Sequence, residues 1–191
     1  MRTLPSLTLA AALMLGSALP AWAGSYATLD PQHSRIGFTY TQMGVAMNGS
    51  FGQLKGQVQF DPAKPEAAKA SLTVPLASIQ AGSAEANDEV KGKAWFNTAA
   101  YPAAQFDTTQ VKALGGNRYQ VSGKLTLKGR RHEVSAPFTL TPQGKAATFE
   151  GGFILKRTDF AIGEGSWADG GIVAHDVRIT FSLRVLAAEA R

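Results

Sequence analysis

The sequence of 191 residues contains no cysteine. This absence excludes disulfide bonds, thiolate metal sites, haem attached through a C-x-x-C-H motif and the lipidated cysteine of a bacterial lipoprotein. The chain also lacks a long apolar run: the longest, from Leu7 to about Leu19, is shorter than the roughly 20 residues that a transmembrane helix needs. We therefore expect no membrane-spanning helix, and a fold that is stable without covalent cross-links.

Residues 1–23 have the features of a cleaved export signal. Arg2 supplies a positive charge, the apolar run follows it, and Ala21 and Ala23 are spaced as signal peptidase prefers. We predict a signal peptide over residues 1–23 and one soluble, periplasmic domain over residues 24–191. The net charge is +5, but the basic residues are dispersed. An exported chain without a basic patch interleaved with aromatics is not expected to bind nucleic acid.

Most of the remaining sequence alternates apolar and polar residues, which is typical of half-buried β-strands. In "RYQVSGKLTLKG" the residues Tyr119, Val121, Gly123, Leu125 and Leu127 share one face. The same period occurs at 36–40, 54–60, 72–76, 134–140, 149–155 and 177–185, and more weakly at 106–111. Turn residues separate these runs at Asn48-Gly49, "DPAKPE", "GGN", "KGRR" and "TPQGK". The pattern predicts an all-β fold of about eight antiparallel strands.

An antiparallel sheet of this size exposes two edges unless it closes into a barrel. The interior of such a barrel holds either packed side chains or one slender ligand, and the pattern alone does not choose between them. Glycines at inward positions favour a ligand, although glycine also marks the bends that a curved sheet needs. These glycines are Gly37, Gly56, Gly123 and Gly151.

One segment, residues 83–102, breaks the alternation. Ser83 can cap a helix that has Glu85, Asp88 and Glu89 near its N-terminus, and Gly92 and Pro102 keep the helical pieces short. Its aromatic residues are too apolar for a solvated loop. We therefore expect a short helical segment that folds over one end or flank of the sheet as a lid or plug.

The polar motifs give little support for a metal site or for catalysis. His33, His132 and His175 lie in separate segments without close metal-ligand spacing, so neither a metal nor a cofactor is expected. The stretch "GEGSWADGGIVAHDV", residues 163–177, is interpreted as a loop that leads into a strand. Asp30, His33 and Ser34 leave a hydrolase as a less favoured alternative, because neighbours in sequence seldom form a catalytic triad.

The order and spacing of several motifs resemble the YceI family of periplasmic, lipocalin-like proteins. The resemblance begins in "YATLDPQHSRIGFTYTQMGVAMNGSFGQLKGQVQFDP", continues in "GKLTLKGRRHEV" and ends in "RTDFAIGEGSWADGGIVAHDVRI". Two positions depart from the family pattern: Gln42 stands where many members have His, and Asn87 where an Arg commonly precedes the helical Asp. The residues that carry the resemblance are Asp30, His33, Ser34, Phe38, Gly49, Phe51, Asp88, Phe96, Tyr101-Pro102 and Phe106.

This resemblance implies an extended antiparallel lipocalin-like barrel whose apolar tunnel binds or carries a long-chain amphiphile. The ligand would be a polyisoprenoid, an isoprenoid quinone or a similar lipid, held without a cofactor and without turnover. A membrane b-type cytochrome is the implied partner, and a homodimer is compatible with the family. The two departures bear on the identity of the ligand's head group.

The alternation of the strands predicts which side chains would line such a tunnel. Three aromatic residues, Trp95, Phe96 and Trp167, are expected at its entrance. The alternative is that the same positions form a packed core, in a barrel that acts as a structural or interaction protein. The predicted lining residues on the strands are Phe38, Tyr40, Val58, Leu72, Val74, Tyr119, Leu125, Phe138, Phe153, Ile179 and Phe181.

Overall fold

The structure, a computed structural model, describes residues 24–188. The predicted signal peptide, residues 1–23, lies outside the described residues. Within these residues, ten strands form one antiparallel sheet in the order β3-β4-β6-β7-β8-β9-β10-β1-β2-β5. The strands are β1 (Tyr26–Gln42), β2 (Val45–Phe51), β3 (Lys55–Gln59), β4 (Lys69–Pro75), β5 (Ile79–Gln80), β6 (Ala103–Gly115), β7 (Arg118–Leu127), β8 (Arg130–Gln143), β9 (Ala146–Lys156) and β10 (Asp176–Ala187).

The predicted all-β, antiparallel lipocalin-like fold is confirmed, with ten strands in place of about eight. The sheet curls until its β3 edge reaches the start of β1. There Tyr26 and Phe60 exchange two backbone hydrogen bonds, with N···O distances of 2.7 and 2.9 Å. The opposite edge, β5, is two residues long and pairs only with Ser50 and Phe51 at the end of β2. One end of the barrel is closed by this pairing, and the β5 edge is short. The sheet therefore exposes few unpaired backbone N–H and C=O groups at its edges.

The two additional strands are β2 and β5, and the prediction of a turn at Asn48-Gly49 was wrong. These two residues lie within β2, where Asn48 pairs with Thr39 and Gly49 with Phe38. The chain reverses earlier, at Met43 and Gly44, whose φ angles are +47° and +80°. The other predicted turns are confirmed: the chain reverses at 116–117, 128–129 and 144–145, within "GGN", "KGRR" and "TPQGK", and "DPAKPE" leads into the short 3₁₀-helix Pro65–Ala67.

Residues 83–102 form the predicted helical segment. Helix α1 (Ala84–Lys91) begins at Ser83, whose hydroxyl accepts a hydrogen bond from Ala86 N at 3.1 Å, as a helix N-cap does. The segment then turns through residues 92–102 into β6 and buries Trp95 against the barrel. Three further 3₁₀-helices occur at Leu76–Ser78, Arg157–Phe160 and Gly165–Trp167. Among the described residues, no helix is both long enough and apolar enough to cross a membrane.

Buried side chains form two groups, one at each end of the barrel. At the end closed by the Tyr26–Phe60 pairing, five rings make an aromatic cluster: Tyr26, Phe60, Tyr119, Phe138 and Phe149. Phe60 is central, with its ring centroid 5.1 Å from that of Tyr119 and 5.3 Å from that of Phe149. At the other end, the helical segment and the loop after β9 contribute Trp95, Phe160, Ile162 and Val173. The space between the two groups is the interior of the barrel.

An apolar cavity as the candidate ligand-binding site

A cavity of about 630 Å³ occupies the interior of the barrel. Its volume falls within the range of about 300–1,000 Å³ that is usual for small-molecule sites. All ten strands and helix α1 contribute to its wall. The wall is overwhelmingly apolar because each strand directs alternate side chains inward, and those alternate positions are the apolar ones.

Thirteen of the fourteen predicted ligand-binding residues line this cavity. Tyr119 does not. It is buried behind the wall, stacked on Phe138 with a centroid distance of 5.3 Å. That these residues contact a ligand remains a prediction. Those on the wall are Phe38, Tyr40, Val58, Leu72, Val74, Trp95, Phe96, Leu125, Phe138, Phe153, Trp167, Ile179 and Phe181.

The middle of the barrel is open space rather than packed core. Phe38, Leu72 and Ile179 face inward, yet each is only partly buried. Their faces stay accessible because the space before them is wide enough to admit solvent. In the aromatic cluster, by contrast, Phe60 is 4% exposed. Native interiors rarely contain voids larger than a water molecule, so this cavity is a specific feature of the fold.

Polar side chains are a minority on the cavity wall. Some of them are hydrogen-bonded to the protein, and others are exposed to solvent. The hydroxyl of Tyr40, whose pKa is raised by burial, donates to Ala81 O at 3.0 Å. On helix α1, Glu85 and Glu89 line the cavity and remain exposed to solvent, which places them at its mouth. Hydrogen bonds from the backbone amide of Glu85 and from Ser83 lower the pKa of Glu85. Two carboxylates therefore lie at the mouth on the side of α1, and the exposed Lys69 of β4 also lines the cavity.

Gly37, one of the glycines expected to face inward, instead faces outward. A Cβ on Gly37 would lie 2.9 Å from Oγ1 of Thr180, an exposed residue on β10. Gly123 faces inward, but the ring of Phe106 fills the space that its side chain would take. Gly151 is likewise overlaid by Phe181. These inward glycines make room for rings of the wall itself rather than for a ligand.

Arg157 organises the loop beside the cavity, and the sequence reasoning missed it. The residue is 1% exposed. Its Nε donates to Ala174 O at 3.1 Å, and its two terminal nitrogens donate to the backbone oxygens of Ile162, Gly163, Trp167 and Val173. All five N–H groups of the guanidinium are thus used. The detectable signal was an arginine at the end of a strand, followed by a glycine-rich loop whose carbonyls needed donors.

A lysine fixes the same loop from the opposite side. Lys128, at the β7–β8 turn, is 9% exposed. Its Nζ donates to Ala161 O at 2.6 Å and to Glu164 Oε2 at 2.8 Å. The hydrogen bond from Lys128, together with its charge, lowers the pKa of Glu164. This end of the barrel is therefore held by two buried cations that bind loop carbonyls.

Residues 163–175 form the predicted loop, which leads into β10 at Asp176. Its polar side chains bind the backbone of the loop itself: Asp169 Oδ1 accepts from Gly171 N at 2.8 Å, and His175 Nε2 lies 3.1 Å from Ala168 O. Within residues 24–188, no group of three or more histidine, cysteine, aspartate or glutamate residues is arranged to hold a metal ion. The loop closes one end of the barrel around Trp167.

Asp30, His33 and Ser34 lie at an irregularity of β1, outside the cavity wall. His33 Nδ1 is 2.7 Å from Asp30 Oδ2. The hydroxyl of Ser34 donates to Asp30 O at 2.7 Å and accepts from Arg184 N at 3.0 Å. A triad needs the histidine to bind the serine hydroxyl, but here that hydroxyl bridges two backbone groups. The three residues join β1 to β10 where the register shifts.

Comparison with known proteins gives consistent matches. The sequence profile of the YceI-like domain matches residues 28–185. The UPF0312 protein of Azotobacter vinelandii is 34% identical over 164 residues, covering 80% of this chain and 85% of that protein. The crystal structure of BcnA from Burkholderia cenocepacia is 40% identical, with a TM-score of 0.79, and the match covers 82% of this chain and 98% of BcnA.

A second solved structure shares the fold at much lower sequence identity. It is a polyisoprenoid-binding domain from Saccharophagus degradans, implicated in plant cell wall breakdown. It is 17% identical, with a TM-score of 0.67, and the match covers 85% of this chain and 99% of that domain. At this identity the likeness shows the fold alone.

Proposed function

Because the chain belongs to the YceI-like domain family, we propose that it binds or carries a long-chain amphiphilic lipid in the barrel cavity, without catalysing a reaction. The lipid would be a polyisoprenoid, an isoprenoid quinone or a similar molecule. The observation that carries the proposal is the open cavity of about 630 Å³ with an almost entirely apolar wall. An apolar wall of this kind complements a hydrocarbon tail and little else.

Burial of the tail supplies the affinity. Each CH₂ group transferred from water to an apolar site contributes about 0.8 kcal/mol. Several isoprene units could therefore bind tightly with few polar contacts, which agrees with the scarcity of polar side chains on the wall. The exposed Glu85 and Glu89 at the mouth mark the end at which a polar head group would meet solvent.

The fold supports the same ligand class. The Saccharophagus degradans domain, which has this fold, is a polyisoprenoid-binding domain. We extend that ligand class to the present chain as part of the proposal. We also propose that the protein is periplasmic, which the predicted signal peptide supports, and that a membrane b-type cytochrome is its partner. A homodimer also remains a proposal.

The experiment that tests this function is native mass spectrometry of protein purified from periplasm without detergent. Organic extraction and identification of the bound molecule follow. We expect a stoichiometric adduct with the mass of an isoprenoid lipid, which extraction removes and added lipid restores. Folded protein that carries no lipid and takes up none would contradict the proposal and favour a barrel that acts through its outer surface.

A further inference from the structure

Three exposed apolar side chains lie together at one rim of the barrel and form its apolar tip: Met43, Val45 and Ile172. They are 76%, 60% and 40% exposed, and they make up three of the seven large apolar side chains exposed within residues 24–188. Met43 N donates to Ile172 O at 2.8 Å, and Val45 follows Met43 after a single glycine. Scattered apolar residues are normal on a protein surface, whereas a contiguous group of them points to an interaction site.

The turn that presents Met43 is unfavourable for this residue in two ways. Met43 and Gly44 are the two central residues of the β1–β2 hairpin, with φ angles of +47° and +80°. Hairpin turns with two positive φ angles prefer Asn-Gly, because asparagine adopts the left-handed conformation more readily than methionine. The methionine also exposes a large apolar side chain to water. Asparagine would avoid both costs, so the methionine points to a contact with something outside the chain.

The segments that carry the apolar tip have no charge. No Asp, Glu, Lys or Arg occurs between Arg35 and Lys55, so β2 and the part of β1 that pairs with it are uncharged. Residues 170–174 of the loop before β10 are also uncharged. The carboxylate that precedes them, Asp169, is turned to the backbone and accepts from Gly171 N at 2.8 Å. A rim of this composition can leave water without stripping an ion of its solvent.

The apolar tip borders the mouth of the cavity. Gln42 and Val173, the sequence neighbours of Met43 and Ile172, form a β-bridge with each other, and both line the cavity. Two residues earlier on β1, the hydroxyl of Tyr40 binds the segment just before α1, the helix whose carboxylates lie at the mouth. A surface that receives the apolar tip therefore also meets the mouth.

A lipid bilayer fits these observations better than a protein surface does. A stable protein interface buries about 800 Å² on each partner and surrounds its apolar core with a polar rim. The apolar tip offers only three side chains, and the segments around it carry no charge. Proteins that bind one face of a membrane place apolar side chains at the boundary between head groups and acyl chains. A bilayer is also the source of the lipid that the cavity is proposed to hold.

We propose that the apolar tip inserts into the surface of a lipid bilayer and brings the cavity mouth against the membrane. This inference goes beyond the proposed function, since insertion of the tip does not require the cavity to hold a lipid. The two together give a lipid a path from the bilayer to the cavity that avoids water.

The test is co-flotation of the protein with vesicles of phosphatidylcholine over a series of lipid concentrations. These vesicles have no net charge, so the net positive charge of the chain does not attract it to them. We expect wild-type protein to float with the vesicles and Met43→Asn to lower the partition coefficient roughly ten-fold, the effect of withdrawing about two CH₂ groups from an apolar medium. The matched control is Leu114→Asn, which should bind as wild type does. Leu114 is 46% exposed, and it lies next to the β6–β7 turn at the opposite end of the barrel.

Urea unfolding distinguishes a lost membrane contact from a damaged fold. Met43→Asn should be at least as stable as wild type, because asparagine suits the turn. A clearly less stable variant would show that Met43 serves the fold, and it would overturn the inference. Absence of wild-type flotation, or equal flotation of wild type and Met43→Asn, would overturn it too. Flotation that requires phosphatidylglycerol would assign the binding to charge, and flotation that requires native membrane proteins would assign it to a protein partner; either result excludes insertion of the tip.

A second readout locates the contact on the protein. Because the chain has no cysteine, Met43→Cys and Leu114→Cys can each be labelled at a single site with nitrobenzoxadiazole. With phosphatidylcholine vesicles, emission from the label at position 43 should rise and shift to the blue, and brominated lipid should quench it. The label at position 114 should not respond. An equal response at the two positions would contradict docking through the tip.

The outcomes separate this inference from the proposed function. Wild-type protein that docks on vesicles but takes up no isoprenoid quinone from them would contradict the proposed function and leave the docking intact. Wild-type protein that takes up the quinone without floating would overturn the docking and leave the proposed function intact.

Discussion

The ring of Phe38 lies over Gly49, its partner on the neighbouring strand, and fills the space that a side chain at Gly49 would occupy. Phe181 and Gly151 repeat this arrangement between β10 and β9. Phe106 covers Gly123 diagonally, since its direct partner on β7 is Leu125. A ring that occupies the place of a missing side chain lies against the backbone and takes up less of the interior than one that projects from the wall. These pairs therefore help to keep the barrel open.

The first prediction is that Gly49→Ala destabilises the protein by about 1–3 kcal/mol, the usual cost of overpacking. The new Cβ would overlap Phe38 and would lie 2.6 Å from the backbone oxygen of Gln80. Urea unfolding measures the change. The control is Gly52→Ala, whose Cβ would meet nothing closer than Ser78 O at 3.5 Å. Equal stabilities of the two variants would show that the Phe38–Gly49 contact does not constrain the sheet.

The same pair explains why β2 could not be predicted. Asn-Gly between apolar runs is a strong local signal for a hairpin turn. Gly49 is instead required by the ring of Phe38 on another strand, and this reason is not visible in the local sequence. The real turn uses Met43 in a left-handed conformation, which non-glycine residues rarely adopt. Here tertiary packing determines the structure and local preference does not.

Strand regularity determined how well the cavity wall could be predicted. β10 pairs with β9 without a register shift, and the alternate apolar residues of the 177–185 pattern all line the cavity: Val177, Ile179, Phe181, Leu183 and Val185. On β6 a bulge between Thr108 and Gln110 changes which face is inward, so Thr108 and Val111 both line the cavity although they differ in parity. A period-two pattern cannot anticipate such a shift.

Arg157 leads to the second prediction. Arg157→Met removes five hydrogen bonds to loop carbonyls and should lower the free energy of unfolding by about 3–5 kcal/mol, because buried acceptors lose their donors. Arg157→Lys retains a positive charge, but an ammonium group has three donors and lacks the planar geometry of the guanidinium. The stability of this variant should therefore lie between that of wild type and that of Arg157→Met. Urea unfolding gives the order, and hydrogen exchange of amides in residues 161–175 locates the effect. If Arg157→Lys is as stable as wild type, the planar guanidinium is not required to hold the loop carbonyls.

The third prediction concerns acid sensitivity. Lys128 lowers the pKa of Glu164 in the folded protein. A carboxyl with a lowered folded-state pKa adds stability above its ordinary pKa of 4.5, and this stability is lost as pH falls through the lowered value. The stability difference between wild type and Glu164→Gln should therefore be constant above pH 4.5 and should shrink as the pH falls from 4.5 through the lowered pKa. Unfolding measured across this range tests the sign.

The control for the acid experiment is Glu133→Gln. Glu133 is exposed on β8 and forms no ion pair within the described part of the chain. Its substitution should not reproduce the pH-dependent difference. If the Glu164→Gln difference persists undiminished at low pH, the Lys128–Glu164 contact does not contribute through charge.

The fourth prediction distinguishes an open cavity from a packed core by filling the space. Ala104 lines the cavity on β6 and is only partly buried, so a phenylalanine there can extend into empty volume. Ala104→Phe should change the free energy of unfolding by less than about 1 kcal/mol, whereas the same insertion into a packed core costs about 1–3 kcal/mol. The lipid adduct seen by native mass spectrometry should decrease sharply, because the ring and the ligand compete for one volume. Ala113→Phe, on an exposed part of the same strand, should retain the lipid. If Ala104→Phe is strongly destabilised and still retains lipid, the ligand must bind outside the barrel, since its interior would then have no room for both.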